Sequence, residues 1–159
     1  MEEVSRLAIS LLSIESPAYL IWLRLYNPDD PLNKPDLRKS LESVNTLLYY
    51  AALLGLSTIT SLLLNATTEV NVQGGRYGNA LQAASARGHE QVVKMLLDNG
   101  AKVNAQGGYY GNALQAASDS GHEQVVKMLL DKGAEINAQG GYYGNALQAA
   151  SDVYKRQLP

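Results

Sequence analysis

The sequence predicts an all-α solenoid, built from helix–turn–helix units joined by hairpin loops, and two observations support this prediction. First, the block GNALQAAS begins at Gly78, at Gly111 and at Gly144, so that it returns every 33 residues. A fixed period of this length is typical of repeat architectures. Second, each period contains two short segments with the composition of helices, separated by a glycine.

The two segments of one unit have the signals that begin and end helices. The first spans about Ala80 to Ala86, with Asn79 placed to cap it, and Gly88 interrupts it. The second spans about Glu90 to Asn99, and Gly100 follows as a stop. Apolar residues recur along it at three- and four-residue steps: Val92, Val93, Leu96 and Leu97. Isolated helices shorter than about 12–15 residues are marginal in water, so the units must stack on one another.

A pair of glycines separates consecutive units and predicts a tight hairpin. Gly107 and Gly108 can adopt positive φ at little cost, which places Tyr109 and Tyr110 at or beside the tip. The same place holds Arg76-Tyr77 in one unit and Tyr142-Tyr143 in another. We therefore expect a row of tyrosines along the hairpin side of the stack.

The unit NALQAASDSGHEQVVKMLLDKGAEINAQ resembles the ankyrin-repeat pattern TPLHxAAxxGHxxxVxxLLxxGAxxN. The resemblance covers roughly Leu41 to Ser151. The residues that match the pattern are Leu114, Ala116, Ala117, Gly121, His122, Val126, Leu129, Leu130, Gly133, Ala134 and Asn137. It implies an ankyrin solenoid of three complete units and a partial fourth.

This sequence departs from the family pattern in two places. Residues 112–115 read Asn-Ala-Leu-Gln where the family has Thr-Pro-Leu-His, and we expect the asparagine to cap the helix in place of threonine. Thr46 in the first copy restores the threonine. The usual hairpin glycine falls on Tyr110, so Gly107 and Gly108 are expected to form the turn instead.

The register divides the chain into segments. We predict an N-terminal helical cap or linker at 1–39, ankyrin units at about 40–71, 72–104 and 105–137, a partial unit at 138–151, and a separate tail at 152–159. Within the cap, 2–13 and 17–26 read as helices. An apolar cluster there either packs on the first repeat or docks an upstream domain: Tyr19, Leu20, Trp22, Leu23 and Tyr26.

The tail does not continue the repeat. The segment DVYKRQ at 152–157 is what GATGTGTATAAGAGACAG encodes, and that string resembles the adaptor of transposon-based sequencing libraries. We predict that 152–159 is not native sequence, and the alternative is a natural, degenerate C-terminus. An array cut off here would leave the helix face near Leu147 and Ala150 uncovered.

Composition and motifs argue against an enzyme, a metal site or a cofactor. The chain has no cysteine, which excludes thiol chemistry and thiolate ligands. The His-Glu pairs at 89 and 122 would need a second histidine four residues after the first to bind zinc, but both positions are valine. Ser85, Ser118 and Ser151 recur once per unit, whereas a catalytic serine needs one particular base.

Charge and hydropathy limit the partners. A net charge of −2 is too mild for a nucleic acid or an anionic membrane, which call for a basic stripe. The chain opens with acidic residues rather than a signal peptide. Its longest apolar stretch, 18–26, contains Arg24 and is about half of the roughly 20 residues that span a bilayer. We expect an intracellular, cytoplasmic protein.

The family resemblance implies protein recognition through a concave face of hairpin tips and first helices, with a partner whose identity the sequence does not reveal. Tyrosine and arginine are enriched at binding hot spots. The candidate partner-binding residues are Arg76, Tyr77, Gln82, Tyr109, Tyr110, Gln115, Tyr142 and Tyr143. Alternatively, the rings stack on each other and stiffen the hairpins, and the two roles are compatible.

A second resemblance suggests another context for the array. The near-identical blocks GNALQAAS and GHEQVVKMLLD are similar to ankyrin arrays of filamentous fungi that follow a NACHT module in immune-receptor-like proteins. This implies, as the alternative function, a regulatory or sensor array of a larger NACHT-type signalling protein with an upstream domain. The phosphate-binding motif GxxxxGK[ST] does not occur in this sequence, so no ATPase activity is implied for it.

Amplifying the locus again from source DNA tests the origin of the tail. We expect the genomic reading frame after Ser151 to encode the rest of the fourth unit, with its second helix, in place of DVYKRQLP. A genomic DVYKRQLP followed by a stop codon would show that the tail is natural.

Overall fold

A computed structural model describes residues 47–66 and 69–157, which form an all-α array; the predicted cap at 1–39 and Thr46 lie outside the described residues. The helices of the described part are α1 (Leu47–Leu53), α2 (Ser57–Ala66), α3 (Ala80–Arg87), α4 (Glu90–Asp98), α5 (Ala113–Asp119), α6 (Glu123–Asp131) and α7 (Ala146–Gln157). The first helices of the units, α1, α3, α5 and α7, pack on one another in one layer. The second helices, α2, α4 and α6, form the other layer. The all-α prediction is confirmed.

Asparagine side chains cap the first helices, as the sequence predicts. The Asn79 Oδ1 atom accepts a hydrogen bond from the Gln82 backbone N–H at 2.9 Å, and Asn112 accepts one from Gln115 at 2.8 Å. This bond satisfies a backbone donor that has no partner inside the helix. Gly88 ends α3 in the left-handed conformation, with φ of 71°.

The hairpins between units are closed by glycines. An antiparallel bridge joins Gly107 to Gly111, and equivalent bridges lie one unit before and one unit after it. Gly108 has φ of 65°, so the predicted glycine turn is confirmed. At the tips, the Tyr109 N–H donates to the carbonyl of Arg76 at 2.8 Å, and the Tyr142 N–H donates to Tyr109 at 2.9 Å. Neighbouring hairpins are therefore hydrogen-bonded to each other.

Small side chains let the first helices approach closely. Ala83, Ala84, Ala116 and Ala117 are completely buried. The apolar stripe of α4 closes the core from the other side, with Val92, Val93 and Leu96 at most 1% exposed. At roughly 25 cal/mol per Å² of apolar surface, this burial supplies the stability that no single short helix has.

Polar side chains join each unit to its neighbour. The Asn71 side chain donates to the carbonyl of Gly100 at 3.1 Å and accepts from the N–H of Lys102 at 2.8 Å. Asn104 makes the same pair of bonds one unit later, to Gly133 and Glu135. These bonds lie at the loops after the second helices and hold the units in a constant register.

The fourth unit differs from the others at its end. Helix α7 continues to Gln157, beyond the predicted boundary at 151, because Tyr154 stands where Gly88 ends α3. The Leu147 side chain is 76% exposed, whereas Leu81 and Leu114, its equivalents, are 2% and 3% exposed. Ala150 is exposed too.

Two glycine-to-alanine substitutions separate backbone strain from steric overlap. Gly133 has φ of 85° and open space where a Cβ would lie, so Gly133→Ala should cost about 1 kcal/mol of unfolding free energy. Gly108 has a similar φ, but its Cβ would overlap the backbone carbonyl group of Tyr77. Gly108→Ala should therefore cost about 3 kcal/mol or more. Urea unfolding followed by circular dichroism measures both, and equal losses would contradict the steric argument.

Candidate partner-binding surface

Two rows of side chains run along the hairpin tips. The outer row consists of Arg76, Tyr109 and Tyr142, and the inner row consists of Tyr77, Tyr110 and Tyr143. Within one hairpin the two rings meet edge to face, at 5.0 Å between centroids for Tyr109 and Tyr110 and at 4.9 Å for Tyr142 and Tyr143. The predicted tyrosines therefore come together on one side of the stack.

The constant register between units places equivalent rings over one another. In the outer row, the Tyr109 and Tyr142 rings are stacked at 5.1 Å, and the Arg76 guanidinium lies 5.4 Å from the Tyr109 centroid. In the inner row, Tyr110 stacks between Tyr77 at 5.9 Å and Tyr143 at 6.3 Å. Aromatic pairs at these distances attract one another beyond their buried area. Each ring is thus held in place by its neighbours.

The two rows differ in how much of them reaches solvent. Tyr142 is 70% exposed, Tyr109 is 36% exposed, and Arg76 is also exposed. In the inner row, Tyr110 and Tyr143 are half-buried. A partner would meet the outer row first and the edges of the inner row behind it.

Tyr77 is part of the core rather than of the surface. Its side chain is only 8% exposed and packs in one apolar cluster with Tyr49 and Tyr50. The Tyr77 N–H donates to the Tyr49 hydroxyl at 3.3 Å, and the Arg87 guanidinium lies 5.8 Å from the Tyr77 centroid. We predicted that Tyr77 contacts a partner directly, but its buried ring has little surface to offer one.

Tyr110 and Asp119 form a hydrogen-bonded pair in the inner row. Burial raises the pKa of the Tyr110 hydroxyl, and the negative charge of Asp119 and a hydrogen bond to it raise that pKa further. The Tyr110 hydroxyl therefore keeps its proton and donates a hydrogen bond to the Asp119 carboxylate. The Asp119 side chain is itself buried, at 6% exposure, so the pair is a fixed part of the inner row.

The glutamines predicted to contact a partner are buried. Gln82 and Gln115 are 1% and 0% exposed. The Gln82 side-chain amide donates to three carbonyl groups of the next hairpin, those of Ala105 (3.3 Å), Gly107 (3.0 Å) and Gly111 (3.1 Å). The Gln115 amide donates to the equivalent groups of Ala138, Gly140 and Gly144. The prediction for these two residues was wrong, because their position faces the following hairpin and not solvent.

The sequence reasoning also missed three residues of this region: Tyr49, Arg87 and Asp119. The 33-residue register contained a signal for one of them, since Tyr49 occupies the position of Gln82 one unit earlier. Arg87 and Asp119 lie at the end of a first helix, where two adjacent positions differ between units. Their contacts with the inner row depend on how the units stack, which no single unit shows.

Comparison with known families agrees with this geometry. A sequence model described as ankyrin repeats, in three copies, matches residues 20–107 and 48–140. The chain belongs to the ankyrin-repeat family. Ankyrin repeats are generally protein-interaction modules, and ankyrin-repeat proteins are typically non-enzymatic scaffolds.

One curated relative is similar to this ankyrin array over part of its length. It is the azaphilone pigments biosynthesis cluster protein L of Monascus ruber, which is 45% identical over 97 residues. The match covers 55% of this chain and 20% of that protein. The chain thus spans about a fifth of the length of the relative.

Histidine and acidic side chains are spread out in the described part of the ankyrin array. No group of three or more histidine, aspartate or glutamate side chains could hold a metal ion there. His89 lies at the start of α4, where its ring Nε2 is 3.1 Å from the carbonyl of Leu53 in the preceding unit. None of the helices described is long and apolar enough to cross a membrane.

A matched pair of glutamine substitutions tests the inter-unit bond. Gln115→Ala should lower the unfolding free energy by about 1–3 kcal/mol, since the part-buried carbonyl groups of the next hairpin lose their amide donor. Gln148 occupies the same position in the fourth unit but is exposed, so Gln148→Ala should change stability by less than about 0.5 kcal/mol. Urea unfolding compares the two, and a similar loss for both would refute the role given to Gln115.

Proposed function

We propose that this ankyrin array binds a protein partner through its concave face, and that the outer row makes the central contact. The observation that carries this proposal is that Tyr109 and Tyr142 are exposed and yet held in place by stacking. Large aromatic side chains that stand in solvent in fixed positions are the residues from which binding hot spots are built.

Order within the row favours affinity. Immobilising a flexible side chain on binding costs about 0.5–1.5 kcal/mol, and a side chain that is already ordered avoids most of this cost. Tyr109 lies between Arg76 and Tyr142, and its backbone is hydrogen-bonded to both neighbouring hairpin tips. Stacking and recognition are therefore not competing explanations, because the first prepares the second.

The proposed contact set is smaller than the sequence alone suggested. It comprises Arg76, Tyr109 and Tyr142, with the exposed edges of Tyr110 and Tyr143. The other three candidates, Tyr77, Gln82 and Gln115, support these residues from beneath. In this proposal the array acts without catalysis, cofactor, metal ion or nucleic acid, and a cytoplasmic location stays a prediction.

A second candidate is that the array regulates a longer protein of which it is one segment. It is favoured by the fact that the matched part of the Monascus ruber relative is only a fifth of that protein. In that case the concave face would bind another segment of the same chain, for example a NACHT-type module. The full reading frame on both sides would distinguish the two, and an upstream nucleotide-binding module would favour this second function.

Removing two rings of the outer row should abolish tight binding. Protein fragments from the source organism, displayed as a library, are first selected on the unaltered chain. The double substitution Tyr109→Ser with Tyr142→Ser should then weaken the affinity for the selected fragments at least about tenfold, since each hot-spot side chain contributes roughly 2 kcal/mol of binding free energy. Fluorescence anisotropy measures the affinity.

The control variant replaces two apolar side chains that are similarly exposed but lie outside the tyrosine rows. Leu130 and Ile136 are 38% and 57% exposed, close to the values for the two tyrosines, so Leu130→Ser with Ile136→Ser should leave affinity unchanged. Unaltered binding by the tyrosine variant would reject the proposed surface. Loss of its cooperative unfolding would instead show that the outer row is structural.

A further inference from the structure

The second and third ankyrin units are nearly identical copies with different surfaces. Between 73–104 and 106–137 they differ at six aligned pairs: Arg76/Tyr109, Ala86/Asp119, Arg87/Ser120, Asn99/Lys132, Lys102/Glu135 and Val103/Ile136. The glutamines, the capping asparagines and the buried leucines of the stack are the same in both. The two units therefore pack in the same way but offer different side chains to a partner.

Three of these differences lie at the hairpin tip and the end of the first helix, and all three alter polarity or charge. Where the second unit has the two cations Arg76 and Arg87, the third has the neutral Tyr109 and Ser120 and the anion Asp119. Along the concave face, positive charge is thus concentrated on the second unit. On the third and fourth units the two rows consist of uncharged tyrosines, and the buried Asp119 lies behind them.

Both arginines lie against the same aromatic cluster. The Arg76 guanidinium is over Tyr109 at 5.4 Å, and the Arg87 guanidinium is over Tyr77 at 5.8 Å. The two rings are joined through Tyr110, which stacks on Tyr77 and meets Tyr109 edge to face. Both arginines are exposed. Two cations therefore flank one fixed aromatic surface.

We propose that Arg76 and Arg87 make the concave face of the second unit a site for an acidic peptide segment, whose aspartate or glutamate carboxylates they bind. This inference rests on the proposed function and names the chemistry of the partner. A guanidinium offers several N–H donors in a planar fork that matches a carboxylate, and such charge-assisted bonds are the stronger kind. The tyrosines beyond the arginines then contact the neutral part of the segment.

The charge distribution favours a local carboxylate over a polyanion. Nucleic-acid backbones are bound through many phosphate contacts along a basic stripe. Here the two arginines are followed by Asp119 on the next unit, in a chain of net charge −2. A phosphate chain that continued along the face would bring negative charge close to this carboxylate. A peptide with acidic residues at one end would place only its neutral part there.

The array contains its own folding control for the test. Arg76→Tyr with Arg87→Ser installs the residues that the third unit already carries at the same positions, so the variant should retain its helix content and unfolding midpoint. Lys94→Gln with Lys102→Gln removes the same number of positive charges from exposed positions on α4 and the loop after it. The two double variants therefore differ in where charge is lost and not in how much.

A display library of random 12-residue peptides is selected on the unaltered chain, and enriched peptides are measured by fluorescence anisotropy. We expect an excess of aspartate and glutamate, affinity at least about tenfold weaker for the arginine variant, and no change for the lysine variant. Binding should also weaken when sodium chloride is raised, since the contacts are ionic.

Each other outcome overturns the inference and separates it from the proposed function. Enriched peptides that lack acidic residues and bind the arginine variant equally well would reject the acidic segment while leaving the concave face as a binding surface. If no peptide is enriched, and the protein fragments selected on the unaltered chain still bind after Tyr109 and Tyr142 are replaced, both the acidic segment and the concave binding face are rejected. A labelled single-stranded oligonucleotide that binds in place of acidic peptides, and is lost in the arginine variant, would assign the arginines to a polyanion.

Discussion

The bond from a buried glutamine amide to the next hairpin is the interaction on which the rest of the array depends. The Gln115 side-chain amide donates to three carbonyl groups of the next hairpin, of which that of Gly144 also accepts from the Gly140 N–H. Buried carbonyl groups without a donor are costly, so only one position of the next hairpin is acceptable. Because Gln82 makes the same bonds one unit earlier, the second unit holds the third as the third holds the fourth.

The tyrosine rows follow from this register. Rings at equivalent positions stack only if each hairpin keeps the same alignment with the next one. The hydrogen bonds between hairpin tips maintain this alignment. Alanines at the contact between first helices allow the close approach that brings the rings within stacking distance. The packing of the array thus produces an ordered aromatic surface without any bond made specifically for that purpose, apart from the hydroxyl of Tyr110 on Asp119.

Copying a unit leaves the stacking residues unchanged and lets the surface vary. Units two and three share the buried glutamines, the capping asparagines and the loop asparagines that join neighbours, but differ in charge at the hairpin tip and at the end of the first helix. An array of this kind acquires specificity by small changes at exposed positions such as Arg76 and Arg87, while the buried glutamines and alanines keep the units packed together. This separation of stability from recognition is the physical basis for assigning a particular class of partner segment to one unit of an otherwise repetitive face.

The 33-residue period could be found by comparing the copies along the chain. The two helices of each unit, the asparagine caps and the glycine turn could also be predicted, because they depend on neighbours within a few residues. The sequence also indicated the hairpin tyrosines, since a residue at a turn tip is near solvent in almost any packing. Which polar residues face solvent and which face the next unit depends on how the units stack. Gln115 and Tyr109 look equally available in the sequence, yet one is buried and the other exposed. That difference arises between units, across 23 to 29 residues of chain, where local sequence patterns carry no information.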